Sequence, residues 1–227
     1  MKNNPIFCAV DTTDVATAAA LTTRLDGLIG GVKLGLEFYT ANGRDGVRRV
    51  MQGCHLPLFL DLKFHDIPNT VAGAVRGIRQ LSPAFATIHA GGGGAMMRAA
   101  VDAAEGSCKI LAVTVLTSLG EADLPGLGIT GTVSDQVRRL ADLAAAAGVD
   151  GLVCSPHEVA ALRAQIGSAL TLVVPGIRPA GAKGDDQVRV LTPAEAMAAG
   201  ADHLVIGRPI TASPDPAAAA RAILESV

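Results

Sequence analysis

The chain has 227 residues, enough for one α/β barrel or two smaller domains. Hydrophobic residues make up 49% and charged residues 18%, which excludes general disorder and points to strands buried on both faces. A formal net charge of −2, 3% aromatics and no basic run interleaved with aromatics speak against nucleic-acid binding, so a small ligand is the better partner class. Cys8, Cys54, Cys108 and Cys154 are widely spaced, with no CxxC or Cys/His metal pattern, and read as reduced core residues. Met1 to Pro5 lacks the basic start of a signal peptide, and no run reaches the ~18 apolar residues of a membrane span, so a cytoplasmic location is expected.

The apolar run 6–10 ends in Asp11, and Thr12, Thr13 and Asp14 offer N-cap chemistry for an Ala-rich helix to about Leu25. Residues 31–36 repeat the design, with Val32, Leu34 and Leu36 on one face and Lys33 on the other. A helix over 41–51 follows, then a third strand from Leu58, and a helix over 70–81 introduced by Pro68 and Asn69. Strand four is 84–90, with Phe85, Thr87 and His89 sharing a face; a helix over 95–104 and a fifth strand over 109–116 come next. The long Gly-containing loop 117–132 precedes a helix over 133–147. Strands at 151–154 and 170–174 flank a helix over 156–165, and another long loop spans 175–191. A helix over 193–199, a strand over 202–206 and a helix over 215–225 complete eight strand-helix units. With no linker or compositional break, that repetition predicts a single-domain (β/α)8 TIM barrel spanning residues 1–227, rather than an open doubly wound sheet.

The stretch Asp61-Leu62-Lys63-Phe64-His65-Asp66-Ile67-Pro68-Asn69-Thr70 follows Leu58-Phe59-Leu60. Strand alternation puts Leu58, Leu60, Leu62 and Phe64 on an apolar face, and Phe59, Asp61 and Lys63 on the other. Buried charges are costly unless paired, so the segment is either a structural ion pair at a strand end or a working site. In such barrels chemistry sits where strands end and βα loops begin. Asp11, Lys33, Asp61, Lys63 and Asp66 all fall there, and Lys33, Asp61 and Lys63 are expected to form an array of alternating charge. A lysine ammonium beside carboxylates is a poised proton donor. The loops after strands seven and eight are the usual phosphate site of this fold. Arg178 in Pro175-Gly176-Ile177-Arg178, and Gly207 with Arg208 in Ile206-Gly207-Arg208-Pro209, supply guanidinium forks and open backbone N–H groups for a phosphate. Gln187, in the strand-seven loop, could reach that phosphate from a closing lid or be an ordinary solvated residue. His89 reads first as a core histidine, and His65 carries no assignment.

The ten residues from Asp61 to Thr70 resemble the signature of orotidine 5′-phosphate decarboxylases. Asp11, Lys33, the segment 112–118, Pro175-Gly176-Ile177-Arg178, Gln187 and Ile206-Gly207-Arg208-Pro209 fall in the order of the bacterial branch of that family. The resemblance implies decarboxylation without cofactor or metal, the carbanion left at C6 of the pyrimidine taking a proton from Lys63. It further implies Asp61 against the substrate carboxylate, Lys33 bridging ribose and charge array, and Asp66 completing the network. Asp11 would hold ribose hydroxyls, Thr117 and Ser118 the pyrimidine region, and Arg178, Gln187, Gly207 and Arg208 the phosphate. Asp66, Ile67 and Thr70 would enter the neighbouring subunit's site in a homodimer.

A magnesium-dependent sugar-phosphate lyase of the same superfamily, such as hexulose phosphate synthase, resembles the Asp-x-Lys-x-x-Asp core. The continuation Ile67-Pro68-Asn69-Thr70 favours the decarboxylase. A non-catalytic nucleotide-phosphate binder on the same barrel would not require two lysines buried among carboxylates.

Overall fold

The structure is a computed structural model that describes residues 4–179 and 191–227. Eight parallel strands close into a barrel in sequence order: β1 (Ile6–Ala9), β2 (Gly31–Gly35), β3 (Leu58–Phe64), β4 (Phe85–His89), β5 (Lys109–Val113), β6 (Gly151–Val153), β7 (Thr171–Val174) and β8 (His203–Ile206). The seam is β1 against β8, where Phe7 pairs with Val205. Around it run α1 (Val15–Leu25), α2 (Leu36–Met51), α3 (Pro68–Ile78), α4 (Gly93–Ala104), α5 (Val133–Ala146), α6 (Val159–Ile166), α7 (Pro193–Ala198), the short α8 (Arg208–Thr211) and α9 (Pro216–Glu225). The (β/α)8 barrel expected from the repeat is therefore present. Among the described residues no helix is long and apolar enough to cross a membrane.

Strand alternation sorts side chains into two cores. Leu58, Leu60 and Leu62 point outward and pack with helix residues such as Val71, Val75 and Ile78. Phe7, Phe59 and Phe85 point inward with Leu111, Val173 and Val205, plugging the barrel. The rings meet edge-on or tilted, with Phe7 5.9 Å from Phe59 and 5.4 Å from Phe85, favourable aromatic geometry. Gly31 makes that plug possible, because a Cβ there would stand 2.2 Å from a Phe7 ring carbon.

Local signals set several helix starts. Asp14 caps α1 by accepting the Thr17 N–H at 2.6 Å, and Thr132 and Asp135 form a capping box on α5. Three differences from the sequence expectation stand out. Strand two stops at Gly35, so Leu36 opens α2 and is exposed rather than sharing the Val32 and Leu34 face. That helix begins earlier than 41 and is kinked at Gly43, whose φ of 60° and ψ of −160° only glycine adopts readily. Strand five ends at Val113; Thr114 still donates its N–H to the Val153 carbonyl at 3.1 Å, and the chain then leaves the sheet toward the long loop.

Candidate active site

A cavity of about 490 Å³ opens where the strands end. Its floor is the upper edge of the barrel plug, Ala9, Phe59 and Val205, and Lys33, Asp61 and Lys63 stand above it. Asp61 is the hub. Its Oδ1 accepts from Lys63 Nζ at 2.8 Å, and its Oδ2 lies 3.4 Å from Lys33 Nζ. Lys33 also reaches Asp11 Oδ1 at 3.6 Å, giving the chain Asp11, Lys33, Asp61, Lys63 in alternating sign. The side chains of Lys33 and Asp61 are 10% and 14% exposed, that of Lys63 31% and that of Asp11 57%, so the two inner members of the chain are buried and its two ends reach toward the opening. Burial alone would push the Asp61 carboxyl up. Lys33, Lys63 and the hydrogen bonds from Lys63 and Thr87 outweigh it and hold that carboxyl below the usual range.

The expected facing holds along the strand, with Leu62 in the outer core and Phe64 packed against it, but the ladder with β4 breaks after Leu60. Leu60 pairs with Ala86 and Phe64 with Ile88, so three residues of β3 face the single Thr87 of β4. Inside this bulge Lys63 takes a left-handed backbone, φ 47°, which is uncommon for a residue with a side chain. The ammonium nevertheless returns to Asp61. Thr87, completely buried, accepts the Lys63 N–H at 2.8 Å and donates to Asp61 Oδ1 at 3.0 Å. Sequence reading put Thr87 on a face with Phe85 and His89 and gave it no role; the one available signal was a polar residue at an inward strand position beside Asp61.

Thr117, Arg178, Gly207 and Arg208 line the same cavity, Gly207 beside Asp11, whose Oδ2 would lie 3.8 Å from a Cβ added there. Arg178 Nη1 donates to the Ile177 carbonyl at 2.9 Å, which directs its guanidinium from the β7 end. Arg208 opens α8, directly after β8 and Gly207. Among the described residues, four cationic side chains, Lys33, Lys63, Arg178 and Arg208, line the cavity against two carboxylates, Asp11 and Asp61, an excess of two positive charges. Such a site favours a polyanion.

The remaining predicted residues lie elsewhere. Asp66, Ile67 and Thr70 are exposed beyond β3; Asp66 accepts the Ile67 N–H at 2.6 Å, and Ile67 is 66% exposed. Asp66 and Ile67 border a separate shallow concavity with His65, Pro68, Gly91 and Gly92. Ser118 is exposed next to Thr117 and does not line the cavity. Gln187 falls outside the described residues. His89 is half-buried and stacks on His65 with ring centroids 5.2 Å apart, its Nδ1 accepting the Gly91 N–H. Burial, then His65 and Lys63, pushes the His89 imidazole below its ordinary value.

A charged array and two arginines lining one cavity at the barrel mouth define a (β/α)8 barrel enzyme site suited to a phosphorylated small molecule. Residues 4–223 match the family model described as orotidine 5′-phosphate decarboxylase / HUMPS family. The chain is 56% identical to an orotidine 5′-phosphate decarboxylase of Rhodospirillum rubrum, over 98% of this chain and 94% of that one. It is 54% identical to one of Thermobifida fusca, over 96% and 94%. A crystal structure of orotidine 5′-phosphate decarboxylase from Lactobacillus acidophilus superposes with a TM-score of 0.87 at 36% identity, covering 98% of both chains. The chain belongs to the orotidine 5′-phosphate decarboxylase / HUMPS family.

Proposed function

We propose that this cavity decarboxylates orotidine 5′-phosphate to UMP and CO2, the step that completes a pyrimidine nucleotide in the cytoplasm. The observation that carries the reading is the Lys33, Asp61, Lys63 array held in a cavity that Arg178 and Arg208 also line. Such a substrate presents a phosphate and a carboxylate, and the cavity's positive excess matches a polyanion. Arg178, Arg208 and Gly207, with Gln187, hold the phosphate, Asp11 the ribose hydroxyls, and Thr117 with Ser118 the pyrimidine.

In the reaction the bond between C6 and the carboxylate carbon breaks, CO2 leaves, and the electron pair stays on C6. Lys63 then gives that carbon a proton from Nζ and recovers one from solvent. Its ammonium interacts more strongly with the localised pair at C6 than with the delocalised carboxylate, so the interaction lowers the barrier. Asp61 fixes Lys63 in place and faces the departing carboxylate, and Lys33 links the array to the ribose. Phosphate binding, remote from C6, supplies energy for assembling the site.

The exposure of Asp66, Ile67 and Thr70 supports a homodimer in which they complete the partner's site. The decisive experiment follows loss of orotidine 5′-phosphate absorbance with the purified protein, with and without EDTA, and with Lys63→Ala. Turnover insensitive to EDTA and lost in Lys63→Ala is expected; an inactive wild-type chain would overturn the reading, and EDTA inhibition would favour a magnesium-dependent lyase. Mixing Asp61→Ala with Asp66→Ala chains should restore some activity, and no recovery in confirmed heterodimers would refute the shared site.

A further inference from the structure

We infer that the Thr87 hydroxyl is the positioning group that sets Lys63 at its proton-transfer station, by bridging the Lys63 backbone N–H and the Asp61 carboxylate across the β3 bulge. This inference rests on the proposed decarboxylase reading for the reaction it serves, while the geometry behind it stands independently.

The bulge creates a bonding problem. With three residues of β3 opposite one of β4, the regular ladder is interrupted and the Lys63 N–H needs another acceptor. Thr87 Oγ1 accepts it at 2.8 Å. The same hydroxyl has one proton to give, and it goes to Asp61 Oδ1 at 3.0 Å, the oxygen that Lys63 Nζ also contacts at 2.8 Å. Backbone N–H, hydroxyl, carboxylate and ammonium thus close a ring, so both ends of Lys63 are tied to one buried threonine. A left-handed backbone in a residue with a side chain persists only where its surroundings hold it, and Thr87 is the group that does so. The Thr87 bond also helps keep the Asp61 carboxyl low, so the anion that orients Lys63 is retained.

Removing the hydroxyl leaves the Lys63 N–H without its acceptor and lets the carboxylate turn. A hydrogen bond to a charged group and a displacement of about 1 Å at a reacting atom each correspond to losses on the order of 10–100-fold. Thr87→Val keeps the volume and removes the hydroxyl; Thr87→Ser keeps the hydroxyl and removes a methyl group. Expected are a kcat reduced about 10–100-fold in Thr87→Val with KM within about threefold, and Thr87→Ser within about threefold of the parent in both. A residue that only filled space would give the opposite order, with serine the worse variant. Thr87→Ala, lacking the hydroxyl too, takes the place of Thr87→Val if the latter does not fold. The inference is overturned if the hydroxyl-less variant keeps kcat within threefold, if serine fails to rescue, or if KM rises in step with the loss. A crystal structure of the hydroxyl-less variant separates this from failure of the decarboxylase reading: Lys63 should leave its left-handed backbone or Asp61, whatever the protein turns over, and an unmoved Lys63 would refute the bridge.

Discussion

Asp61→Asn tests whether the charge array stabilises the folded chain or is carried at a cost. The two shortest contacts, 2.8 Å to Lys63 and 3.4 Å to Lys33, correspond to about 6 and about 5 kcal/mol of gross attraction at an effective dielectric of about 20. The Lys63 share is screened, since that side chain is 31% exposed; the Lys33 share, at 10%, is screened less. Against both stands desolvation of the Asp61 carboxylate, on the order of several kcal/mol, which the amide avoids. Asparagine keeps an acceptor for Lys63 or Thr87 but turns an NH2 donor toward an ammonium, leaving two cations with Asp11, 3.6 Å from Lys33, as the other carboxylate among the described lining residues. The balance is a loss of about 3 kcal/mol, at the lower end for breaking a buried pair, or about 6–12 °C in Tm for a domain of this size. Because the folded Asp61 carboxyl is depressed, its contribution is fully present above the ordinary value of 3.8 and disappears only as pH falls through the lower folded value. Thermal and urea unfolding at pH 7 therefore measures the whole effect, and activity is lost in parallel. An Asp61→Asn protein as stable as the parent, or more stable, would refute the reasoning and show that desolvation and Lys33–Lys63 repulsion dominate.

Arg208→Ala should lower kcat/KM for orotidine 5′-phosphate about 10–100-fold, as expected for losing a charge-assisted bond, and leave turnover of the nucleoside orotidine unchanged; equal effects on both would place Arg208 outside the phosphate site. His203 sits in the barrel plug 5.3 Å from both Phe7 and Phe85. Burial, opposed by Asp202, pushes its imidazole below the ordinary 6.5, so the unfolded chain binds more protons and stability falls as pH drops below 6.5. In His203→Phe the shift in urea midpoint between pH 7 and pH 5 should shrink, and an unchanged shift would exclude His203 as its source. Gly31→Ala should cost about 1–3 kcal/mol in urea unfolding, because Phe7, fixed by Phe59, Phe85 and His203, cannot yield to the new Cβ; a neutral effect would mean that the plug repacks.

The barrel was legible because its strands are short apolar runs at regular spacing, separated by helices whose caps are written locally, as Asp14 and Thr132 show. Where propensity is neutral the reading slipped. Residues 114–116 have the composition of a strand, yet Thr114 Oγ1 donates to the Val153 carbonyl and the chain then turns out of the sheet. Leu36 continues an apolar alternation that the turn at Gly35 ends, and no local signal separates that from a longer strand.

The site divides in the same way, by the range of the interaction that fixes each residue. Asp11, Lys33, Asp61, Arg178 and Arg208 could be placed from sequence because a charge at the end of a parallel barrel strand has few destinations, and the closed sheet brings all such ends to one mouth. Period-two alternation then predicted Lys63 on the Asp61 face, and the ammonium is there, but by another route. Strict alternation would have needed no help from β4. The bulge does, since a left-handed Lys63 has an N–H that must find an acceptor across strands, and the acceptor is 24 residues away in sequence. A register slip of this kind depends on two strands together, so neither strand's own pattern records it. Thr87 thus looked like an ordinary β-branched strand residue until the pairing Leu60 with Ala86 and Phe64 with Ile88 left it alone opposite Asp61, Leu62 and Lys63. In this barrel the charges belong to single strands, whereas the orientation of the ammonium proposed as proton donor belongs to a pair.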